Sequence, residues 1–402
     1  MCCWRCRLED TVKGIAVQRD EMLSLVEWSI CCEPGDEFAG MLRQAVGGIS
    51  AIQLVKSGDP RYLIHALTEA EVIDLAVQRF GDPQKTASDA IERWLPRLKT
   101  SDTLKAVEMV ETGRFQLIGP TSENWPHSLK DLGWGAPAAL WVCGDAGSLN
   151  TLSRSIALVG SRTASAYGKE VTNEIVSGLA DFGYAIVSGG AYGIDAIAHQ
   201  ASLSLDNPTI AVMAGGLDRL YPSGNERLLL EIADKWALIG EMPPGSSPTK
   251  WRFLQRNRLI AALGQATVVV EAGWRSGSIN TANHATALGR EVGAVPGLVT
   301  SPSSAGCHRL IRDGIAQLVG SSDEIREIVG ENTALFVTEA STTGALEKRA
   351  LDALTEGWQT LEKVASTAGL THREATMALT SLKIDALAVS SLRGWRRRGS
   401  NL

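Results

Sequence analysis

Six apolar runs of strand length punctuate the middle of the chain: Ile156 to Val159, Tyr184 to Val187, Thr209 to Val212, Trp236 to Ile239, Thr267 to Val270 and Glu291 to Val295. Between them lie helical stretches such as 169–182, 191–203, 223–234, 255–263 and 279–289. Runs that are apolar throughout, not at every second position, belong to strands covered on both faces. Strand, glycine turn and helix repeated in that order predict a parallel sheet with helices on each side. The strand ends then form one ligand-facing edge.

The flanks read differently. From 20 to 112 apolar positions recur every three or four residues, as in Met22, Leu23, Leu25 and Val26, or Ile91, Trp94, Leu95 and Leu98. That spacing predicts a small helical domain, punctuated by Pro34-Gly35 and Asp82-Pro83. Its Gly47-Gly48 leaves two readings open, a plain helix-helix turn or a hairpin against a nucleic-acid backbone. Residues 113–150 predict a connector with two short strands, Phe115 to Ile118 and Ala139 to Val142, against the edge of the next domain. After 320 a polar run precedes helical segments at 345–355, 361–368 and 373–382, the last opened by the capping box Thr371-His-Arg-Glu374. A short hairpin over 388–398 would complete a winged helix.

The expected fold class is therefore α/β, with a helical domain before the parallel sheet and a winged-helix domain after it. The expected boundaries are a lead-in at 1–19, helices at 20–112, the connector at 113–150, the sheet domain at 151–325, a linker at 326–343 and the winged helix at 344–402.

Composition adds a location and a charge contrast. The chain is 44% apolar and 21% charged with a formal net charge of -6, which argues against a coat on duplex DNA but not against one local basic site. Residues 250–320 hold eight Lys or Arg against Glu271, Glu291 and Asp313, net +5. An anion is the expected partner of that segment. No apolar run approaches the roughly 20 residues that span a bilayer, and the start lacks the apolar core of a signal peptide. The expectation is a cytoplasmic protein with its seven cysteines reduced. Cys2, Cys3, Cys6, Cys31 and Cys32 cluster near the start but lack the paired spacing of zinc sites, so free thiols are favoured over a metal.

The turns at the sheet edge narrow the chemistry. Gly160-Ser-Arg-Thr-Ala-Ser-Ala-Tyr-Gly168-Lys169 is neither the dinucleotide nor the P-loop glycine pattern. Ser188-Gly189-Gly190 offers no acid for a ribose. Both turns put backbone N–H groups of Gly160, Ser161, Ser188, Gly189 and Gly190 near helix N-termini, where phosphate is favoured. Arg162 adds a planar fork. Lys250, Arg256 and Arg258 surround Phe253, and an aromatic among cations offers a stacking face to an unpaired base. Two plainer readings compete: glycines that serve only tight turns, and Phe253 as a core anchor. No catalytic constellation emerges and no cofactor is implied. Asp195 and His199 share one helix face, Asp195 more as a binding or capping acid than as half of a metal or acid-base pair. Glu271 reads as a partner for a nearby arginine.

Gly160-Ser-Arg162, Ser188-Gly-Gly-Ala-Tyr-Gly-Ile-Asp195 with Ala198-His199, Tyr221-Pro222, Phe253-x-x-Arg256-Asn-Arg258, Val270-Glu-Ala272, Ser276-Gly277-Ser278, Gly289-Arg290, Ala294-Val-Pro-Gly297 and Gly306-Cys-His-Arg-Leu-Ile311 together resemble the DNA-processing protein A family, DprA or Smf. The match runs in order over about 155–315. The resemblance implies an extended Rossmann-like domain, flanked by a SAM-like helical domain and a winged helix. It implies a homodimer that binds single-stranded DNA in a basic pocket without nucleotide hydrolysis and loads the RecA recombinase onto it in natural transformation. Arg162, Lys250, Phe253 and Ser276 to Ser278 match the family's binding positions. Tyr192 stands where an arginine is common, Leu254 replaces a frequent proline and Asn280 an aliphatic residue. A rival reading from the related nucleoside-monophosphate-cleaving enzymes lacks their Pro-Gly-Gly-x-Gly-Thr turn here. A second rival is a winged-helix regulator with a nucleotide-sensing sheet.

Overall fold

The computed structural model describes residues 19–331, 340–384, 387–391 and 393–398. All but the last residue of the expected lead-in at 1–19, with Cys2, Cys3 and Cys6, and residues 332–339 of the expected linker at 326–343 lie outside the described residues. The chain divides into two compact units, Met1–Gly330 and Glu331–Leu402.

Among the described residues, seven α-helices open the first unit: α1 (19–31), α2 (Glu37–Val46), α3 (Gly48–Ser57), α4 (Pro60–Glu69), α5 (Ile73–Phe80), α6 (Pro83–Trp94) and α7 (Thr100–Glu111). Asp36, Asp59 and Asp82 cap α2, α4 and α6 through their side chains, satisfying N–H groups that a helix start leaves unpaired. Gly47, at φ 79°, joins α2 to α3 across a 116° bend, the geometry of a helix-helix turn. Trp28, Phe38, Met41, Ile52, Leu63 and Trp94 close a common core. No single helix among the described residues is long and apolar enough to cross a membrane.

The sheet follows in one continuous order. β1 (Gln116–Ile118) and β2 (Leu140–Gly144) precede β3 (Ser155–Val159), α8 (Ala166–Ala180), β4 (Ala185–Ser188), α9 (Ile194–Ser204), β5 (Thr209–Met213), α10 (Glu226–Lys235) and β6 (Ala237–Gly240). After these come α11 (Lys250–Leu263), β7 (Ala266–Val269), α12 (Gly277–Ala287), β8 (Glu291–Ala294), α13 (Ala305–Arg312), β9 (Gln317–Leu318) and α14 (Ser322–Ile328). The spatial order is β1-β2-β6-β5-β4-β3-β7-β8-β9. Strands from β6 to β9 run parallel, whereas β2 lies antiparallel on β6 and β1 antiparallel on β2.

Both faces of the sheet are covered, as the unbroken apolar runs require. Ile156 and Leu158 enter one core cluster, and Ala157 and Val159 enter the other. The residues read as a connector extend the sheet itself. Trp141 pairs with Gly240 and Val142 with Ile239, while Phe115 and Trp141 share a core with Val26 of α1 and Ala106 of α7. The helical layer is thereby packed onto the sheet.

Chain order sets where a ligand can enter. Strands β3 to β6 are laid down in one direction, and α11 then carries the chain back to start β7 on the other side of β3. Helices leaving β3 and β7 diverge at that reversal, which opens a crevice at the carboxyl ends of the two strands.

The second unit holds α15 (Ala340–Ala353), α16 (Leu361–Ala368), α17 (His372–Ile384) and the antiparallel pair β10 (Ala388–Ser391) and β11 (Gly394–Arg397). Gly369, at φ 62°, ends α16 in the left-handed conformation, which glycine adopts without strain. The capping box is present: the Thr371 N–H donates to Glu374 Oε2 at 2.8 Å and the Glu374 N–H to Thr371 Oγ1 at 3.3 Å.

Candidate nucleic-acid interface

Helix α11 supplies one wall of the crevice. Its approach carries Pro243, Pro244 and Pro248, and the Thr249 hydroxyl caps it by accepting from the Arg252 N–H at 3.2 Å. Lys250, Phe253, Arg256 with Asn257, and Ile260 then fall on one stripe. They face a cavity of about 600 Å³ whose other walls are Arg162 after β3, Asp195 of α9, Tyr221 after β5, and Arg275, Gly277, Ser278 and Thr281 after β7.

Phe253 is the ring at the centre of these charges. The guanidinium carbon of Arg162 lies 5.6 Å from the ring centroid and that of Arg256 lies 6.0 Å away. Tyr221 leans on the same ring at 5.5 Å and 55°. Phe253 is half-buried, so the ring keeps accessible surface. Among the described residues, Arg162, Lys250 and Arg275 form no ion pair with a carboxylate. Two carboxylates beside α11 are already paired, Glu33 with Arg252 and Glu241 with Arg258.

Arg256 plays a different part from Arg162. It is buried, and its Nη1 donates to Gly189 O at 2.7 Å and to Val212 O, tying α11 to the ends of β4 and β5. Burial pushes its pKa down to about 10, with the Asp195 charge opposing that and Arg162 adding to it. It stays cationic at neutral pH. A Cβ on Gly189 would lie 2.5 Å from the Arg256 guanidinium carbon, so a larger residue there would have to displace that guanidinium from its place.

Several expected site residues lie outside the cavity lining. The Gly189 N–H donates to Asp195 Oδ2 at 3.1 Å, and the buried Ser188 hydroxyl donates to Leu158 O at 2.6 Å. An internal carboxylate thus fills the place expected for a phosphate, and Ser188, Gly189 and Gly190 do not line the cavity. Burial pushes the Asp195 pKa up, with the Arg256 charge opposing. Gly160 and Ser161 also stay out of the lining. Gly160 packs on Ile194, where a Cβ would come 2.5 Å from Cγ1, and the Ser161 carbonyl accepts from the Ile194 N–H at 3.1 Å. Their effect is to project Arg162, which is exposed. Ser276 caps α12, accepting from the Ser278 N–H at 3.4 Å, and so aims Gly277 and Ser278 at the cavity.

Arg258 is a correction. Expected at the same rim, it is buried on another side of α11 with Nη2 at 2.8 and 2.6 Å from the two Glu241 oxygens. Glu271 is another: among the described residues it pairs with no arginine, and it accepts from the Ser165 N–H at 2.9 Å and from the Ser165 and Ser303 hydroxyls at 2.6 and 3.1 Å. These donors offset its burial. His199 is a core residue, its Nδ1 2.7 Å from Thr209 Oγ1, with burial and then the Arg256 charge lowering its pKa to about 3. Of the three unusual positions, Tyr192 accepts at its hydroxyl from the Gly224 N–H at 3.2 Å, Asn280 accepts from Asn257 Nδ2 at 3.1 Å, and Leu254 lines the cavity. Sequence reasoning missed Tyr221 and Asn257 as cavity walls, and met Arg275 only in the charge count.

The sequence profile of the family described as DNA recombination-mediator protein A matches residues 116–330, more than half of the chain. The chain belongs to this family. The DNA processing protein DprA of Bacillus subtilis is 38% identical over 246 residues, 61% of this chain and 80% of that protein. A Mycobacterium tuberculosis relative is 43% identical over 298 residues, 70% of this chain and 76% of its own. Among solved structures, the X-ray structure of DprA from Streptococcus pneumoniae superposes with a TM-score of 0.55 at 32% identity, covering 69% of this chain and 96% of that one. The family match takes in both the antiparallel extension β1-β2 and the crevice between β3 and β7.

Proposed function

We propose that this protein binds single-stranded DNA in the crevice between β3 and β7 and loads the RecA recombinase onto it, in DNA uptake by natural transformation and in homologous recombination. One observation carries the reading: Phe253, a partly open ring, lies within 6.0 Å of the Arg162 and Arg256 guanidinium groups, in a cavity where Arg162, Lys250 and Arg275 form no ion pair among the described residues. An unpaired base presents a flat face to such a ring while its phosphates meet the cations. A duplex keeps its bases stacked on each other and offers only phosphates. The Bacillus subtilis and Streptococcus pneumoniae relatives carry the name DNA processing protein, which agrees with a nucleic-acid ligand.

In this reading the protein acts by holding the strand, without turning over a substrate or a cofactor. It works in the cytoplasm as a homodimer, and the C-terminal unit is a winged helix. The direct experiment compares affinity for single strand, duplex and free nucleotides across salt. Single strand should bind tightest with a steep salt dependence. Preference for duplex, or for a mononucleotide with a flat salt response, overturns the proposal.

A further inference from the structure

The carboxyl rim carries more open aromatic surface than the cavity uses. Exposed aromatics on the loops and helix starts that leave the strand ends are Tyr167, Tyr192, Tyr221, Trp251 and Trp274, whereas elsewhere among the described residues only Tyr62 and Phe182 are exposed. A large apolar ring left in water is informative where it recurs along one edge, because burial is its default.

Trp274 is held outward by its surroundings. β7 leaves the sheet at Val270, and the N-terminus of α13 docks on that exit through the Gly306 N–H, which donates to Ala272 O at 2.7 Å. A Cβ at Gly306 would lie 2.7 Å from the Ala272 and Gly273 carbonyl oxygens, so glycine permits the contact. Arg309, three residues on, is placed with its guanidinium carbon 5.0 Å from the Trp274 ring centroid. Trp274 is 53% exposed, and Arg309 forms no ion pair with a carboxylate among the described residues. The next residue, Arg275, lines the same cavity as Phe253.

We infer that Trp274, backed by Arg309, is a second base-stacking platform, and that single-stranded DNA runs from the Phe253 cavity across the ends of β3 and β7 to reach it. This rests on the strand-binding reading and extends it from one pocket to a path. The charges agree: Arg162, Lys250, Arg275 and Arg309 follow the rim without acidic partners, which suits a polyanion longer than one nucleotide. A strand tracking along such a groove stacks successive bases on successive rings. Arg309 makes the indole a stacking face already ordered by a cation.

The test compares the full chain with Trp274→Ala, Trp274→Phe, Arg309→Met and Phe253→Ala variants on oligothymidylates of about 4 and about 16 nucleotides, read by competition against a labelled long strand. Trp274→Ala should weaken the long strand roughly tenfold or more and leave the short one unchanged, with Trp274→Phe recovering most of the loss and Arg309→Met lying between. Equal loss at both lengths, or none at either, overturns the inference. So does a concentration-dependent shift in gel filtration with unchanged affinity, which would make Trp274 a contact between copies of this chain. Phe253→Ala separates the two levels: no loss at either length defeats the strand-binding reading itself, whereas loss at both lengths beside an inert Trp274 defeats only the extended path.

Discussion

Arg252 of α11 and Glu33 of the loop between α1 and α2, 219 residues apart, form a two-pronged pair, Nε to Oε2 at 2.9 Å and Nη2 to Oε1 at 2.8 Å. Arg97 joins Glu33 at 2.9 Å. Burial raises the Glu33 pKa, but the hydrogen bond and charge of Arg252 outweigh it and the net shift is downward. The helical layer therefore fixes the helix that carries Lys250 and Phe253.

Glu33→Gln should weaken single-strand binding without changing its salt slope, since no phosphate contact is removed. Stability should fall by about 1 kcal/mol, a figure kept low because Glu33 is partly exposed and screened. The Glu33 contribution is present above its ordinary pKa and is lost as pH falls through the lowered one. Isothermal titration at two salt concentrations, with urea unfolding, measures both effects.

Arg162→Ala and Lys250→Ala should each reduce the slope of log K against log salt by about 0.7, one phosphate on a single strand. Arg258→Met should leave that slope alone and instead lower stability by up to about 3 kcal/mol, because Glu241, largely covered, loses its paired guanidinium. A slope change in Arg258→Met would put that guanidinium back in the binding site.

Phe253→Ala should cost about 1 to 3 kcal/mol of single-strand affinity with little effect on duplex. Equal losses on both would point to disturbed folding of α11 in place of lost stacking.

His199 predicts an acid-side weakness. Its pKa is near 6.5 in the unfolded chain and about 3 in the fold, so between those values the unfolded state binds the extra proton. Stability is full above about pH 6.5 and falls toward pH 3 at up to about 1.4 kcal/mol per pH unit from this group. Urea midpoints at pH 7 and pH 5 should differ more for the wild type than for His199→Gln. Matching differences would exclude His199 as the source.

The amino-acid sequence alone determined the sheet, the charge contrast and the central ring. Unbroken runs such as Ile156 to Val159 can be stable only when both faces are covered. Lys250, Phe253 and Arg256 at spacings of three share a helix face. The same periodicity held a warning about Arg258, two residues beyond Arg256 and so roughly 200° around the axis.

Tertiary structure decided what each polar group meets. Asp195 filling the turn at Gly189, Glu241 claiming Arg258 and Ser165 with Ser303 holding Glu271 all join residues distant in the chain or brought together by a turn. Local pattern is set by backbone periodicity, which a sequence displays directly. The pairing of a buried charge is set by whichever partner the packed elements deliver, and α11, crossing back between β6 and β7, delivers partners from the helical layer on one side and from the strand ends on the other.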